Sequence, residues 1–255
     1  GQVKLHEIDV ADFDSIQPLF DDGSIVYHLA GLADIVPSVE NPLKYLRANT
    51  DGTASVMEAA RLGGAAKVVY AASASCYGIA EDYPTPETSE IQPQYPYAVT
   101  KYLGEQIVLN WGEIYGVDVI SLRLSNVYGP RARASDAYGA VFGVFLAQRN
   151  ANEPLTIVGD GTQTRDFTYV TDVVDAFITA AESDISGEIF NIGSGGTYPI
   201  SELAKLIGGE VIHVPKRPGE PHQTFADISK IKKAIGWAPI VSFEKGVAKV
   251  LENIS

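Results

Sequence analysis

Between residues 25 and 124 the chain alternates short apolar runs with longer stretches of helical period. Ile25-Val26-Tyr27-His28-Leu29-Ala30 is nearly continuous in apolar character and predicts a buried strand. Asn41-Pro42 opens the next segment with Pro in its first turn, and Gly63-Gly64 closes it, which predicts a helix. Lys67 to Ala72 predicts the next strand. A polar loop rich in Pro and Glu runs to Pro96, a helix follows from about Tyr97 to Tyr115 and stops at Gly116, and Val119 to Leu124 predicts another strand. Strands that alternate with helices and read as unbroken apolar runs belong to a parallel sheet covered on both faces. The fold class is therefore α/β, a doubly wound parallel sheet of the Rossmann-like kind.

After Asn126 the pattern loosens. Thr171 to Ala181 (a helix) and Glu188 to Ile192 (a strand) are expected to return to the main sheet, whereas 130–165 and 196–255 read as loop-rich with short helices. The expected division is a nucleotide-binding domain of residues 1–129 plus 166–195 and a smaller C-terminal substrate lobe of 130–165 plus 196–255. A doubly wound dinucleotide fold opens with a strand, a glycine-rich turn and a helix. No G-x-x-G-x-x-G or G-x-G-x-x-G stands near the N-terminus, and Gln2 to Asp9 reads as an internal strand. The expectation is that N-terminal βα units are missing, on the order of 60 residues at about 30 per unit.

Composition narrows the function classes. The formal charge of −13 argues against a nucleic-acid surface, which is normally basic. It does not exclude an anionic small ligand, because a few arginines hold a pyrophosphate locally. The longest nearly uncharged apolar stretch, Ala137 to Ala147, is too short to cross a bilayer, and no charged-then-apolar leader opens the chain. The single Cys76 allows no internal disulfide and fits a reducing cytoplasm. His6, His28, His213 and His222 have no metal-ligand spacing, so no metal is implied.

The chemistry-bearing signal is Tyr97-Ala98-Val99-Thr100-Lys101. Four residues apart on a helix, Tyr97 and Lys101 share one face. A phenol with a pKa near 10 is a poor base at neutral pH, and a cation one turn away favours its phenolate. Alone, Y-x-x-x-K more often marks an exposed helical pair. Its context is Val68 to Gly78, a strand that ends in small hydroxyl residues, Ser73 and Ser75, where parallel sheets place ligands.

Together these features resemble the Ser-Tyr-Lys set of the extended short-chain dehydrogenase/reductase family, in its nucleotide-sugar epimerase branch. Further segments carry the resemblance along the chain in the family's order. His28-Leu29-Ala30-Gly31 is similar to the H-x-A-A/G segment that lies along the cofactor. Asn49-Thr50-Asp51-Gly52-Thr53 resembles N-V-x-G-T. Asp9-Val10 resembles the D-[ILV] pair that meets the adenine amino group. Asn126-Val127-Tyr128-Gly129-Pro130 resembles N-V-Y-G-P, which opens the substrate side. Arg165 to Val170 resembles R-D-F-x-Y/H-V, whose Arg holds a sugar-nucleotide pyrophosphate. Asn191 to Gly195 resembles N-I/V-G-S/T-G. Arg217-Pro218-Gly219-Glu220 resembles R-x-G-D/E, which adds a second phosphate-binding Arg and a ribose-binding carboxylate. Asp227 to Trp237 resembles D-x-S-K-x-x-x-x-L-G-W, with Ile235 in place of Leu.

The resemblance implies an NAD-dependent 4-epimerase of UDP-hexoses, with Ser73, Tyr97 and Lys101 catalytic. Asp9, Val10, Leu29, Ala30, Gly31, Asn49, Ala71, Tyr97 and Lys101 are then expected along NAD. Ser75, Asn126, Arg165, Arg217 and Glu220 are expected around the UDP-sugar. Asn49 reads equally as a backbone bridge, and Asp166 reads as the anchor of the loop presenting Arg165. Related dehydratases have T-D-E-V-Y-G at the strand tip, and related decarboxylases a Glu. Here Ala74 and Ser75 stand at those positions, which points away from water elimination. Ala33 departs from the cofactor-facing Lys of galactose epimerases, so the sugar stays open. Two other readings remain: a nucleotide-sugar reductase, and a nucleotide-sugar-binding fragment without catalysis. The family's habit of pairing the helices near 43–62 and 97–115 implies a homodimer.

Overall fold

The computed structural model describes residues 3–132, 141–216 and 221–252. Helix α1 (Phe13–Ile16) leads to strand β1 (Ile25–His28). Helices α2 (Ile35–Glu40) and α3 (Pro42–Tyr45), a π-helical turn (Leu46–Asp51) and α4 (Gly52–Gly63) follow. Next come β2 (Lys67–Ser73), a 3-10 turn (Ala74–Tyr77), the long α5 (Pro96–Tyr115), β3 (Asp118–Leu124) and β4 (Asn126–Tyr128). The rest comprises α6 (Val141–Asn150), β5 (Leu155–Val158), β6 (Thr164–Arg165), β7 (Phe167–Tyr169), α7 (Val170–Glu182), β8 (Glu188–Ile192), β9 (Tyr198–Pro199), α8 (Ile200–Ile207), β10 (Val211–Val214), α9 (Ser229–Ile235) and α10 (Phe243–Glu252).

The main sheet has the order β1-β2-β3-β8, and every neighbouring pair is parallel. Strands β2 and β3 read as unbroken apolar runs because both of their faces are covered. Val68, Tyr70, Ala72 and Val119 pack with Met57 and Ala60 of α4 and Val108 of α5. The alternate residues Val69, Ala71, Ile120 and Leu122 pack with Val173, Ala176 and Phe177 of α7, Ile231 of α9 and Trp237. A separate core gathers Phe142 and Phe145 of α6, Leu155 and Ile157 of β5, Leu203 and Ile207 of α8 and Phe243 and Val247 of α10 around Tyr128, Phe167 and Tyr169.

Three local expectations are corrected. The segment 3–9 forms no strand: Val3 and Leu5 are exposed, and no ladder partner satisfies that backbone among the described residues. Strand β1 is half-exposed instead of buried, because among the described residues it pairs only with β2; Ile25 and Tyr27 face outward and His28 alone is buried. The helix over 41–64 is broken by the π-helical turn. There the Thr53 hydroxyl donates to the Asn49 carbonyl (2.6 Å), a side-chain bond that competes with the regular helical ladder.

Helix α5 begins with Pro96 in its first turn and ends at Gly116, which is left-handed at φ 70°. Its inner face carries Ala98, Lys101, Gly104, Glu105 and Val108. Gly104 permits the close approach to β2, since a Cβ there would overlap the Tyr70 hydroxyl. Glycine-to-alanine in a helix interior ordinarily gains about 1 kcal/mol from propensity. Here Gly104→Ala is expected to destabilise by about 1–3 kcal/mol through overpacking. Urea unfolding midpoints measure this, and an unchanged or raised midpoint contradicts the packing argument.

Candidate active site

Strand β2 delivers Ser73 to the carboxyl end of the sheet. Its extended backbone then turns into the 3-10 segment, where the Ser73 hydroxyl accepts from the Ser75 N–H (3.2 Å) and pairs with the Ser75 hydroxyl (2.8 Å). The first two turns of α5 bring Tyr97 and Lys101 to the same place. The Tyr97 phenol has Ser73 as a hydrogen-bond partner and is deeply surrounded. The Lys101 ammonium sits 4.4 Å from the centre of the Tyr70 ring. The three groups named from the sequence therefore converge at one strand tip.

Burial sets their electrostatics. It pushes the Tyr97 phenol above its ordinary value; the Ser73 hydroxyl opposes this and the Asp34 charge reinforces it. Burial lowers the Lys101 ammonium to about 8, with the Glu105 charge acting the other way. Burial thus outweighs the pull of a cation one turn away: removal from water favours the neutral form of both groups. Asp34 stands on the loop opposite in a left-handed backbone, φ 78°.

The residues expected along a cofactor divide. Leu29 is 60% exposed, Ala30 is half-buried and Gly31 is open. A Cβ on Gly31 would lie 3.0 Å from Asn49 Oδ1 and 3.8 Å from Lys101 Nζ, so this segment borders the Tyr-Lys helix. Asp9 is exposed, accepts the Ala11 N–H (3.0 Å) and lies 3.5 Å from Arg47. Val10 packs against Ile16, Val56 and Ala59. Ala71 gives its side chain to the core under α7. Asn49 is a bridge: Oδ1 accepts the Leu32 N–H (2.7 Å), and Nδ2 donates to the Leu32 carbonyl and to Thr100 Oγ1, both at 3.0 Å. Its polar atoms clamp the Leu32 loop to α5.

On the substrate side, Tyr95 lies parallel to Tyr97 with ring centres 6.5 Å apart, and its hydroxyl has Ser75 as a hydrogen-bond partner. Arg165 donates to the Thr164 carbonyl (2.9 Å), and its charge is felt by Tyr95 and Tyr83. Asn126 donates through its backbone and its amide to the Asp166 carbonyl (3.2 Å each) and through the amide to Thr224 Oγ1 (3.3 Å), tying β4 to β7. That side-chain nitrogen is therefore scaffolding. Arg217 and Glu220 lie outside the described residues. Asp166 is fully buried and accepts the N–H groups of Ser194 (2.7 Å) and Ala226 (3.1 Å).

Sequence reasoning missed a polar network behind the site. Arg123 donates to both carboxylate oxygens of Glu105 (3.0 and 2.6 Å), and Ser121 Oγ donates to Glu105 (2.9 Å). Arg123 also donates to the Tyr77 hydroxyl (2.8 Å), which donates to Asn191 (2.7 Å). The available signal was an arginine inside the apolar run of β3, which demands a buried partner.

A parallel sheet bearing a hydroxyl, phenol and ammonium at one strand tip defines a Rossmann-fold enzyme of the short-chain dehydrogenase/reductase class. Residues 1–193 match the NAD dependent epimerase/dehydratase family, and the chain belongs to that family. It is 35% identical over 236 residues to a UDP-glucose 4-epimerase of Mycolicibacterium smegmatis, covering 89% of this chain and 75% of the relative. It is 31% identical over 269 residues to a UDP-N-acetyl-alpha-D-glucosaminuronate decarboxylase of Bacillus cytotoxicus, covering 99% and 83%. The crystal structure of a UDP-glucose 4-epimerase of Thermotoga maritima with UDP-glucose superposes with a TM-score of 0.92 at 31% identity, covering 98% of this chain and 83% of the other.

Burial raises the Asp166 carboxyl to about 6, although the Ser194 and Ala226 N–H groups pull it back. A carboxyl with a folded value above its unfolded one adds stability that is present below the unfolded value and is lost as pH rises through about 6. The stability of the wild type relative to Asp166→Asn should therefore fall by roughly 2–3 kcal/mol between pH 4 and 6.5. Parallel urea titrations across that range test it; a difference that stays flat contradicts the assignment.

Proposed function

We propose that this chain is the catalytic part of an NAD-dependent 4-epimerase of UDP-hexoses. The observation that carries the reading is the convergence of Ser73, Tyr97 and Lys101 at the tip of β2. The residues fit a dinucleotide at one point: the buried Lys101 ammonium has no hydrogen-bond or ion-pair partner among the described residues, and it faces Gly31, where a side chain would intrude. Lys101, Leu29, Ala30 and Gly31 would border the cofactor. NAD, when bound, supplies reversible hydride acceptance and a positive ring.

Tyr97 takes the proton of the sugar 4-hydroxyl and later returns it. Ser73 orients that oxygen by hydrogen bonding, and Ser75 lines the same turn. Lys101 contributes positive charge that favours the phenolate against burial. Arg165 binds the pyrophosphate, so that the sugar turns about a fixed anchor. Ala74 and Ser75 offer no carboxyl at the positions where related dehydratases carry Asp and Glu, which favours epimerisation over elimination or decarboxylation. Exposed apolar side chains on adjacent helices, Leu62 on α4 and Val99 and Leu103 on α5, support a homodimer.

The test is conversion of UDP-glucose to UDP-galactose by the complete protein, followed by chromatography, with UDP-glucuronic acid as a second substrate and CO₂ release monitored. Tyr97→Phe should lower kcat by about 10²–10⁴-fold, the range for positioned proton transfer, with little change in KM. Interconversion at the wild-type rate would refute the base assignment, and CO₂ release without interconversion would replace the epimerase by a decarboxylase.

A further inference from the structure

Lys101 and Glu105 are one turn apart on α5, and both side chains are buried. A buried carboxylate is costly unless it is paired and hydrogen-bonded. Glu105 meets that condition through the two-pronged Arg123 pair and Ser121. Arg123 sits on β3, and its remaining nitrogen reaches Tyr77, the last residue of the turn that holds Ser73 and Ser75. Tyr77 is fixed in turn by Asn191 of β8, whose backbone N–H donates to Glu87 (2.8 Å). One continuous chain of hydrogen bonds therefore ties the helix bearing Tyr97 and Lys101 to the turn bearing the two serines.

Other charged and titratable groups surround the ammonium from every packed element. Tyr70 of β2 lies beneath it. His28 of β1 is buried and bonded to Thr53 Oγ1 (2.9 Å), and burial, with Lys101 second, lowers it to about 3, so it stays neutral. Tyr97 shares the helix face, Asp34 acts on Tyr97 from the opposite loop, and Arg123 lies behind Glu105. Of the anionic groups named, Glu105 is the one acting on Lys101.

We propose that Glu105, clamped by Arg123, is a positioning residue that keeps the Lys101 ammonium charged inside the site and sets helix α5 against the serine turn. Arg123 and Ser121 fix the direction of the Glu105 carboxylate, one turn below Lys101 on the same helix. This role rests on the reading that Lys101 works as a cation at the active site.

The unliganded protein provides the test, with lysine labelled at ¹³Cε and titrated by NMR. The Lys101 resonance is the one missing from Lys101→Met. In wild type its midpoint is expected near 8. Glu105→Gln, nearly isosteric, removes the charge and should lower the midpoint by roughly one pH unit or more. Glu105→Gln/Arg123→Gln, which also removes the opposing cation, should fall between the two. It also keeps the proposal exposed if the single variant does not fold, since its midpoint must then lie below wild type. A midpoint unmoved by either substitution overturns the proposal. Turnover of Lys101→Met separates the two claims: an unimpaired kcat sinks the active-site reading and leaves the titration result standing.

Discussion

Helix α5 lies against β2 and β3 at a distance set by the missing side chain of Gly104 and by the Glu105–Arg123 pair. The site follows from that approach. Because the helix is so close, Lys101 is almost wholly withdrawn from water, and its ammonium lies over the Tyr70 ring. Because β2 runs straight under the helix, its last residue, Ser73, arrives beside the phenol of Tyr97. A helix held farther out would have room for ordinary solvated side chains and would lose the convergence.

Close packing has an electrostatic consequence. In a medium of low effective dielectric the neutral forms of a phenol and an amine are both favoured, so Tyr97 rises and Lys101 falls. A proton-accepting phenol needs the opposite bias. The fold supplies part of it with Ser73 on the tyrosine and Glu105 on the lysine, each worked from a rigid element instead of a loop. A positively charged ligand beside Gly31 would lower the phenol further while pressing the Lys101 ammonium toward its neutral form. The site is thus balanced so that its ionisation responds to what binds there.

The parts of this arrangement legible in the sequence are those encoded by local spacing. Tyr97 and Lys101 stand four apart in a helical run bounded by Pro96 and Gly116, and Ser73 closes an apolar run, so their convergence needed no tertiary information beyond the parallel-sheet rule. Asn49 was open to two readings, because an asparagine in a helical segment does not reveal which backbone it meets. The answer depended on the π-helical turn that aims it at Leu32. The Glu105–Arg123 pair was illegible for a related reason. It joins positions 18 apart through the register of β3 against α5; Arg123 inside an apolar run signals a buried partner, but Glu105 on a helix reads as a solvated charge, so the partner stays unnamed. Val3 to Asp9 misled because alternating apolar character predicts a strand only where a neighbouring edge can accept it.

A formal charge of −13 opposes the pyrophosphate of the proposed substrate. Distance resolves the conflict. At physiological ionic strength exposed charges are screened within about 8 Å, so the many surface carboxylates act weakly at the strand tip, while a half-buried guanidinium acts at full strength on a group it touches. Arg165 donates to a backbone carbonyl on β6, and the adjoining Asp166 accepts two backbone N–H groups. The local arrangement of donors, and not the sum of charges, decides whether an anion is accepted.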